Sequence, residues 1–236
     1  MLNFVGMGSA FNTEKGNTSA FIKRNNNLLL IDCGGNIFHK LQDLNLLYGL
    51  ENLYVIITHT HPDHVGSLGD LIFYSYYILN HKPTIFFPNR ELIEGFLASI
   101  GVSTEMYNLN HSDTIEVKDT QLGKFNIEFL KVSHVDTIPA YGFTIKLDGK
   151  AFYYSGDSND INNGLLVKFK NGQISRIYQD TCGLDYEGNS HLSLRRLCSI
   201  IPHEFRDRVY CMHLDKHITE KQIQESGFNV VNVIGK

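Results

Sequence analysis

The sequence predicts an α/β fold in which two β-sheets are stacked face to face between outer layers of helices, an αββα sandwich. Three observations predict it. The chain falls into two halves, and each begins rich in strand signals and turns helical later, which fits two packed sheets better than an alternation of strand, helix and strand. At 236 residues with 42% hydrophobic and 19% charged residues, it has an ordinary globular balance. A chain of that size can bury most of its apolar surface in one core without disulfides. A single domain spanning 1–236 is therefore expected.

Each element has its own warrant. Apolar runs at 2–5, 19–23 and 28–32 read as strands, the last two joined by the turn-prone Asn25-Asn26-Asn27. Ile37, Leu41, Leu44 and Leu47 recur at helical spacing and predict a helix over 37–48. A buried strand over 53–58 follows, then a mostly apolar helix over 67–79 and a short strand over 83–87. Asn89 is placed to cap a helix that runs to residue 100. The second half begins with strands at 113–117, 123–132, 143–147 and 151–155, then 176–179. A helix over 192–201 must stop at Pro202, and a strand over 209–212 follows. Thr219 and Gln222 have the spacing of a capping box for a last helix that ends at Gly227.

Charge and cysteine usage exclude several function classes. The formal net charge is −4 and Lys and Arg form no stripe, so the chain lacks the electrostatic footprint of a protein that grips a long nucleic acid. Four cysteines occur without a Cys-x-x-Cys pair, which argues for reduced thiols rather than a cysteine zinc site. The first residues offer no basic start or apolar stretch of signal length, and no run approaches a membrane span. Cytoplasm is the expected compartment, the host's if the source is viral.

The chemistry concentrates in His59-Thr60-His61-Pro62-Asp63-His64, directly after an apolar strand. Imidazole nitrogen and carboxylate oxygen are ligands that divalent zinc accepts. Pro62 cannot donate a strand hydrogen bond, so the strand must end and the motif is expected to form a loop. In an extended segment His59 and His61 face the same way and can share one ion, while Asp63 and His64, beyond the bend, can serve a second.

The motif and four further segments resemble the metallo-β-lactamase superfamily, and the resemblance extends over nearly the whole chain. The segments are Leu29-Leu30-Ile31-Asp32, His134 in Val132-Ser133-His134, Asp157 in Tyr154-Ser155-Gly156-Asp157, and His213 in Cys211-Met212-His213. The resemblance implies two metal ions, zinc first and manganese as the alternative. His59, His61 and His134 would hold one ion, Asp63, His64 and His213 the other, and Asp157 would bridge them. Two such ions activate water and serve both attacking and departing oxygens of a phosphoryl transfer. Asp63 would also orient the nucleophile, and Asp32 would brace the loop from behind.

The segment from His134 to Phe143, with Ser155-Gly156-Asp157-Ser158, is similar to that of the ribonuclease Z branch. There an acidic residue and a later His form a proton-donating pair, which assigns those roles to Asp180 and His191. Twenty-three positions separate His134 from Asp157. That is room for a hairpin but not for the tRNA-gripping arm of bacterial ribonuclease Z. The armless anti-Pycsar phosphodiesterases resemble this chain more closely. That resemblance implies hydrolysis of small 3′,5′-cyclic nucleotides to linear monophosphates in defiance of Pycsar antiviral signalling, a homodimer, and no polymeric nucleic acid or membrane partner. A tRNA 3′-processing endonuclease is the competing reading. Tyr141 and Asn159 are the expected substrate contacts. The aromatic run Phe73-Tyr74-Ser75-Tyr76-Tyr77 reads as core or an oligomer contact.

Overall fold

The structure, a computed structural model, describes residues 2–235. In the first half, strands β1 (Asn3–Gly6), β2 (Ser19–Arg24), β3 (Asn27–Ile31), β4 (Asn52–Ile56), β5 (Thr84–Phe86) and β6 (Asn108–Asn110) form one sheet in chain order. The β1–β2 and β2–β3 pairs are antiparallel, and β3 through β6 run parallel. Parallel pairing needs crossovers, which are supplied by α1 (Ile37–Asp43), α2 (Pro62–Val65), α3 (Leu68–Tyr77) and α4 (Arg90–Ser99).

The strand β3 shows why this sheet is sandwiched. Leu28 and Leu30 pack with Ile37, Leu41, Leu71 and Leu97 of the helices, while Leu29 and Ile31 pack with Ile127, Phe143 and Ile145 of the opposite sheet. Successive side chains of a strand point to opposite faces, so a strand covered on both faces must be apolar throughout.

The second half repeats the plan. Strands β7 (Thr114–Asp119), β8 (Gly123–Lys131), β9 (Tyr141–Leu147), β10 (Lys150–Tyr154), β11 (Arg176–Asp180), β12 (Val209–Met212) and β13 (Asn229–Val230) form the other sheet, antiparallel from β7 to β10 and parallel from β10 to β13. Helices α5 (Asn163–Lys170), α6 (Leu194–Ile200) and α7 (Glu220–Glu225) bury Leu165, Phe169, Leu197 and Ile223 in the core they share with this sheet. Leu147 pairs with Lys150 across Asp148-Gly149, whose φ angles of 51° and 75° suit a tight two-residue hairpin. Nothing longer interrupts the chain between β9 and β10.

Three expectations need correction. The helix α1 ends at Asp43 instead of reaching residue 48, because Asn45 adopts φ 53° and turns the chain back, with Leu46 N–H bonded to the Leu41 carbonyl. The histidine motif is not wholly a loop. Pro62–Val65 forms one helical turn with Pro62 in the first turn, where its missing N–H costs nothing. The elements β6, α5 and β13 lie outside the expected set. The capping box at Thr219 and Gln222 and the cap at Asn89 are both present.

Among the described residues no helix is long and apolar enough to cross a membrane. The four cysteines are free thiols. Burial first of all pushes the Cys33 and Cys211 thiols up to about 12. At pH 8 both are therefore protonated and shielded, and the thiolate is the reactive form. In the native protein they are expected to react with a thiol reagent far more slowly than in denaturant, as timed colorimetry would show. Equal rates in the two states would contradict this burial.

Candidate metal centre

The parallel strands bring the chemistry to one edge. Asp32 follows β3, His59 to His64 follow β4, Asp157 follows β10, Asp180 ends β11 and His213 follows β12. Crevices outside the carboxyl ends of parallel strands are where α/β folds place their sites. Asp32 and His213 hold φ angles of 58° and 56°, uncommon for residues other than glycine. Both are buried and fixed by the contacts described below. The turn that carries the motif also needs Gly34, since a Cβ there would lie 2.0 Å from the Asp63 carbonyl oxygen.

Two donor sets emerge, joined by one carboxylate. In the first, His59 Nε2 lies 3.0 Å from His61 Nδ1, and His134 Nε2 lies 3.3 Å from the same atom. Asp157 Oδ2 closes the set at 3.6 Å from His59 Nε2 and 3.7 Å from His134 Nε2. In the second, Asp63 Oδ2 lies 3.4 Å from His64 Nε2 and 3.2 Å from His213 Nε2. Asp157 Oδ1 is 3.2 Å and 3.4 Å from the same two nitrogens. Zinc–nitrogen bonds of about 2.0–2.1 Å in tetrahedral geometry separate ligand atoms by about 3.3 Å, so both sets have the spacing of a coordination shell.

The residues present fit metal ions. The buried His64 Nε2 and Asp157 Oδ1 have no hydrogen-bond partner among the described residues, and a cation at the second set satisfies both. Three of the imidazoles face a carboxylate or carbonyl on their far side, which favours the nitrogen each one offers. His64 Nδ1 bonds Asp32 Oδ2 at 2.8 Å, His134 Nδ1 bonds the Ser190 carbonyl at 3.1 Å, and His213 Nδ1 sits 3.4 Å from Asp180 Oδ1. Asp32 in turn accepts Thr58 N–H at 2.8 Å and the Thr58 hydroxyl at 2.9 Å.

The protein's own charges polarise the site. Burial, followed by the neighbouring His64, drives His59 well below the usual histidine range, and burial followed by His134 lowers His61. Both therefore stay neutral, the form that binds metal. For His64 and His213 burial opposes charging, but carboxylates led by Asp157 outweigh it, raising His64 well above its ordinary value and His213 to about 10, so metal binding at the second set must release protons from them. Asp63 is lowered: burial works against its charge, and the adjoining His213 and His64 imidazoles prevail.

Asp180 and His191 also meet at this centre. His191 Nδ1 lies 2.7 Å from Asp180 Oδ2, which also accepts Ser158 N–H at 3.0 Å. The pairing leaves Nε2 of His191 as its free nitrogen, on a side chain that is 27% exposed. A cavity of about 740 Å³ opens over the centre, and His61, Asp63, His134, Asp157, His191 and His213 line it. No Lys or Arg is among its lining residues.

The two expected substrate contacts are placed elsewhere. The ring of Tyr141 packs edge-on against Phe87 and Phe129, with centroids at 5.6 Å and 6.2 Å, because β9 begins where the two sheets meet. Its side chain belongs to the core rather than the cavity wall. The Asn159 amide donates to the Asn189 carbonyl at 2.9 Å and so ties two loops together, and Asn159 is not among the residues that line the cavity. The sequence reading instead missed Phe11, Leu184 and Tyr186, exposed apolar residues that line the cavity. Their signal was a large apolar side chain within a polar, glycine-containing loop.

Comparison with known proteins places this geometry. The chain matches the family described as Anti-Pycsar protein Apyc1 over residues 1–233. It is 28% identical to the Anti-Pycsar protein Apyc1 of Paenibacillus harenae, covering 98% of this chain and 96% of that one. It is 31% identical to that of Bacillus phage BSP38, covering 90% and 88%. Among solved structures it is similar to the metallo-β-lactamase fold protein YhfI from Bacillus subtilis, with TM-score 0.75, 18% identity, and coverage of 98% and 95%. A diphosphatase of the PhnP family gives TM-score 0.73 at 15% identity, covering 98% and 94%. Fold, donor sets and family match agree: the chain belongs to the Anti-Pycsar protein Apyc1 family and is a metal-dependent hydrolase with the metallo-β-lactamase fold.

Proposed function

We propose that this protein opens the phosphodiester ring of nucleoside 3′,5′-cyclic monophosphates to give linear monophosphates, removing a cyclic-nucleotide antiviral signal. The observation that carries the reading is Asp157, whose two oxygens serve two separate donor sets at the floor of one nucleotide-sized cavity. The family match supplies the signalling context.

His59, His61, His134 and Asp157 would hold one divalent ion, and Asp63, His64, His213 and Asp157 the other. Zinc suits these nitrogen and carboxylate donors, with manganese as the alternative. When bound, such a pair supplies Lewis acidity and a nucleophile available at neutral pH. The chain's own residues govern the rest. Asp63, held by His64 and His213, presents its carboxylate at the cavity floor and orients the attacking water. His191, with Nδ1 fixed by Asp180, gives the Nε2 proton to the departing ribose oxygen. Asp180 keeps the ring in that tautomer and stabilises its charged form.

A ribonuclease Z-like tRNA 3′-processing endonuclease is the competing reading. The hairpin β9–β10 leaves no arm to grip tRNA, and no Lys or Arg lines the cavity to follow a polyanion. The test is to incubate zinc- or manganese-loaded protein with cyclic CMP, UMP, GMP and AMP, and separately with 3′-extended pre-tRNA. Conversion of the cyclic nucleotides to linear monophosphates supports the proposal. Cleavage of pre-tRNA alone would replace it. The reading includes action in the cytoplasm and a homodimer. Sedimentation at micromolar concentration is expected to give twice the chain's mass, and a monomer would refute that assembly.

A further inference from the structure

The cavity has an apolar side that the metal chemistry does not use. Phe11 is 87% exposed and Tyr186 is 60% exposed, yet both line the cavity that holds the metal ligands. Exposed aromatic rings at the rim of a substrate cavity carry a hydration cost that burial against a flat apolar ligand removes.

Their loops are not slack. Asn12, buried beside Phe11, donates through its amide to the Leu214 carbonyl at 2.9 Å and the Asp215 carbonyl at 3.2 Å. Ser9 N–H also bonds the Leu214 carbonyl at 3.1 Å. The loop that carries Tyr186 is tied to the same place, since Gly183 N–H bonds Asp215 Oδ1 at 3.1 Å. Asn189 pins that loop internally through the Leu184 carbonyl at 2.8 Å. Both aromatics are therefore mounted on the segment that directly follows the metal ligand His213.

We propose that Phe11 and Tyr186 form the seat of the nucleobase, holding it by stacking and apolar contact while the phosphate lies over the metal centre. The inference rests on the cyclic-nucleotide reading above. Stacking suits this role because every base has an aromatic face, and the rings are pre-positioned by loops that need not reorganise.

The test compares Phe11→Ala and Tyr186→Ala with wild type on cyclic CMP and on methyl ribofuranoside 3′,5′-cyclic phosphate, which has no base. In each variant KM for cyclic CMP is expected to rise about tenfold with a smaller change in kcat, the scale of one lost base stack. The preference for cyclic CMP over the base-free ester falls by the same factor, and Phe11→Tyr and Tyr186→Phe restore it. An unchanged preference in both alanine variants, with wild type active on cyclic CMP, overturns the base seat and leaves the proposed function standing. Equal loss on both esters together with a changed sedimentation coefficient assigns the aromatics to a contact between copies and also overturns it. A wild type inactive on every cyclic nucleotide removes both readings.

Discussion

Replacing Asp157 with alanine is expected to lower cyclic-nucleotide hydrolysis by about a thousandfold or more and to reduce bound metal below that of wild type. Among the described residues Asp157 is the one that joins the two donor sets: its Oδ2 lies 3.6–3.7 Å from His59 and His134, and its Oδ1 lies 3.2–3.4 Å from His64 and His213. The electrophilic stabilisation that a metal site supplies amounts to several kcal/mol, and about 1.4 kcal/mol corresponds to tenfold in rate. Removing the shared ligand also leaves His64 and His213 without the carboxylate that most raises them. Elemental analysis and steady-state rates on one preparation check both parts. Full metal content with a rate within tenfold of wild type would show that Asp157 does not join the sets.

The second large effect concerns the proton that the leaving oxygen needs. His191→Ala is expected to slow turnover by about a hundredfold to ten-thousandfold, the range of a positioned general acid, while metal content stays near that of wild type. Asp180→Asn is expected to have a distinct signature. Burial works against charging of His191, and Asp180 at 2.7 Å outweighs it, so the His191 pKa stands above the usual value. Removing that carboxylate lowers the pKa, so the protonated acid is lost at a lower pH. The alkaline limb of the rate profile must therefore move toward lower pH in Asp180→Asn. A limb that stays in place, or moves up, would show that His191 is not the proton donor.

Much of this site was legible in the sequence because ligand chemistry is local. Three histidines and an aspartate within six residues, after an apolar strand, have few other uses, and the structure brings His59, His61, Asp63 and His64 together with the distant His134, Asp157 and His213. Asp157 and His213 follow strands of the parallel part of the second sheet, which carries them to a common edge, and His134 follows β8 in its antiparallel part. Substrate contacts were less legible because they depend on how loops fold over the site. Tyr141 begins a strand, and a strand's alternation decides between core and cavity only once its register is known; its backbone N–H bonds Thr58 and its ring turns inward. Phe11 sits in a loop whose path is set by Asn12 reaching across the chain to Leu214, a contact no local pattern encodes.

The fold shows the same division. Long apolar runs such as Leu28-Leu29-Leu30-Ile31 declared themselves, and their boundaries shifted by a residue or two. The missed β6 and β13 span three and two residues, too short for a period, and their Asn residues favour turns. The missed α5 begins with Asn163-Gly164, weak helix formers; Asn162 caps it, its side chain accepting Gly164 N–H and Leu165 N–H.

The most direct test of the central claim is to strip the protein with chelator and measure cyclic CMP hydrolysis as zinc or manganese is returned in known equivalents. Two shared donor sets predict no turnover in the stripped protein and a rate that climbs until two ions are bound per chain. Full activity in the stripped protein, or saturation at a single ion, would contradict the dinuclear centre on which the mechanism rests.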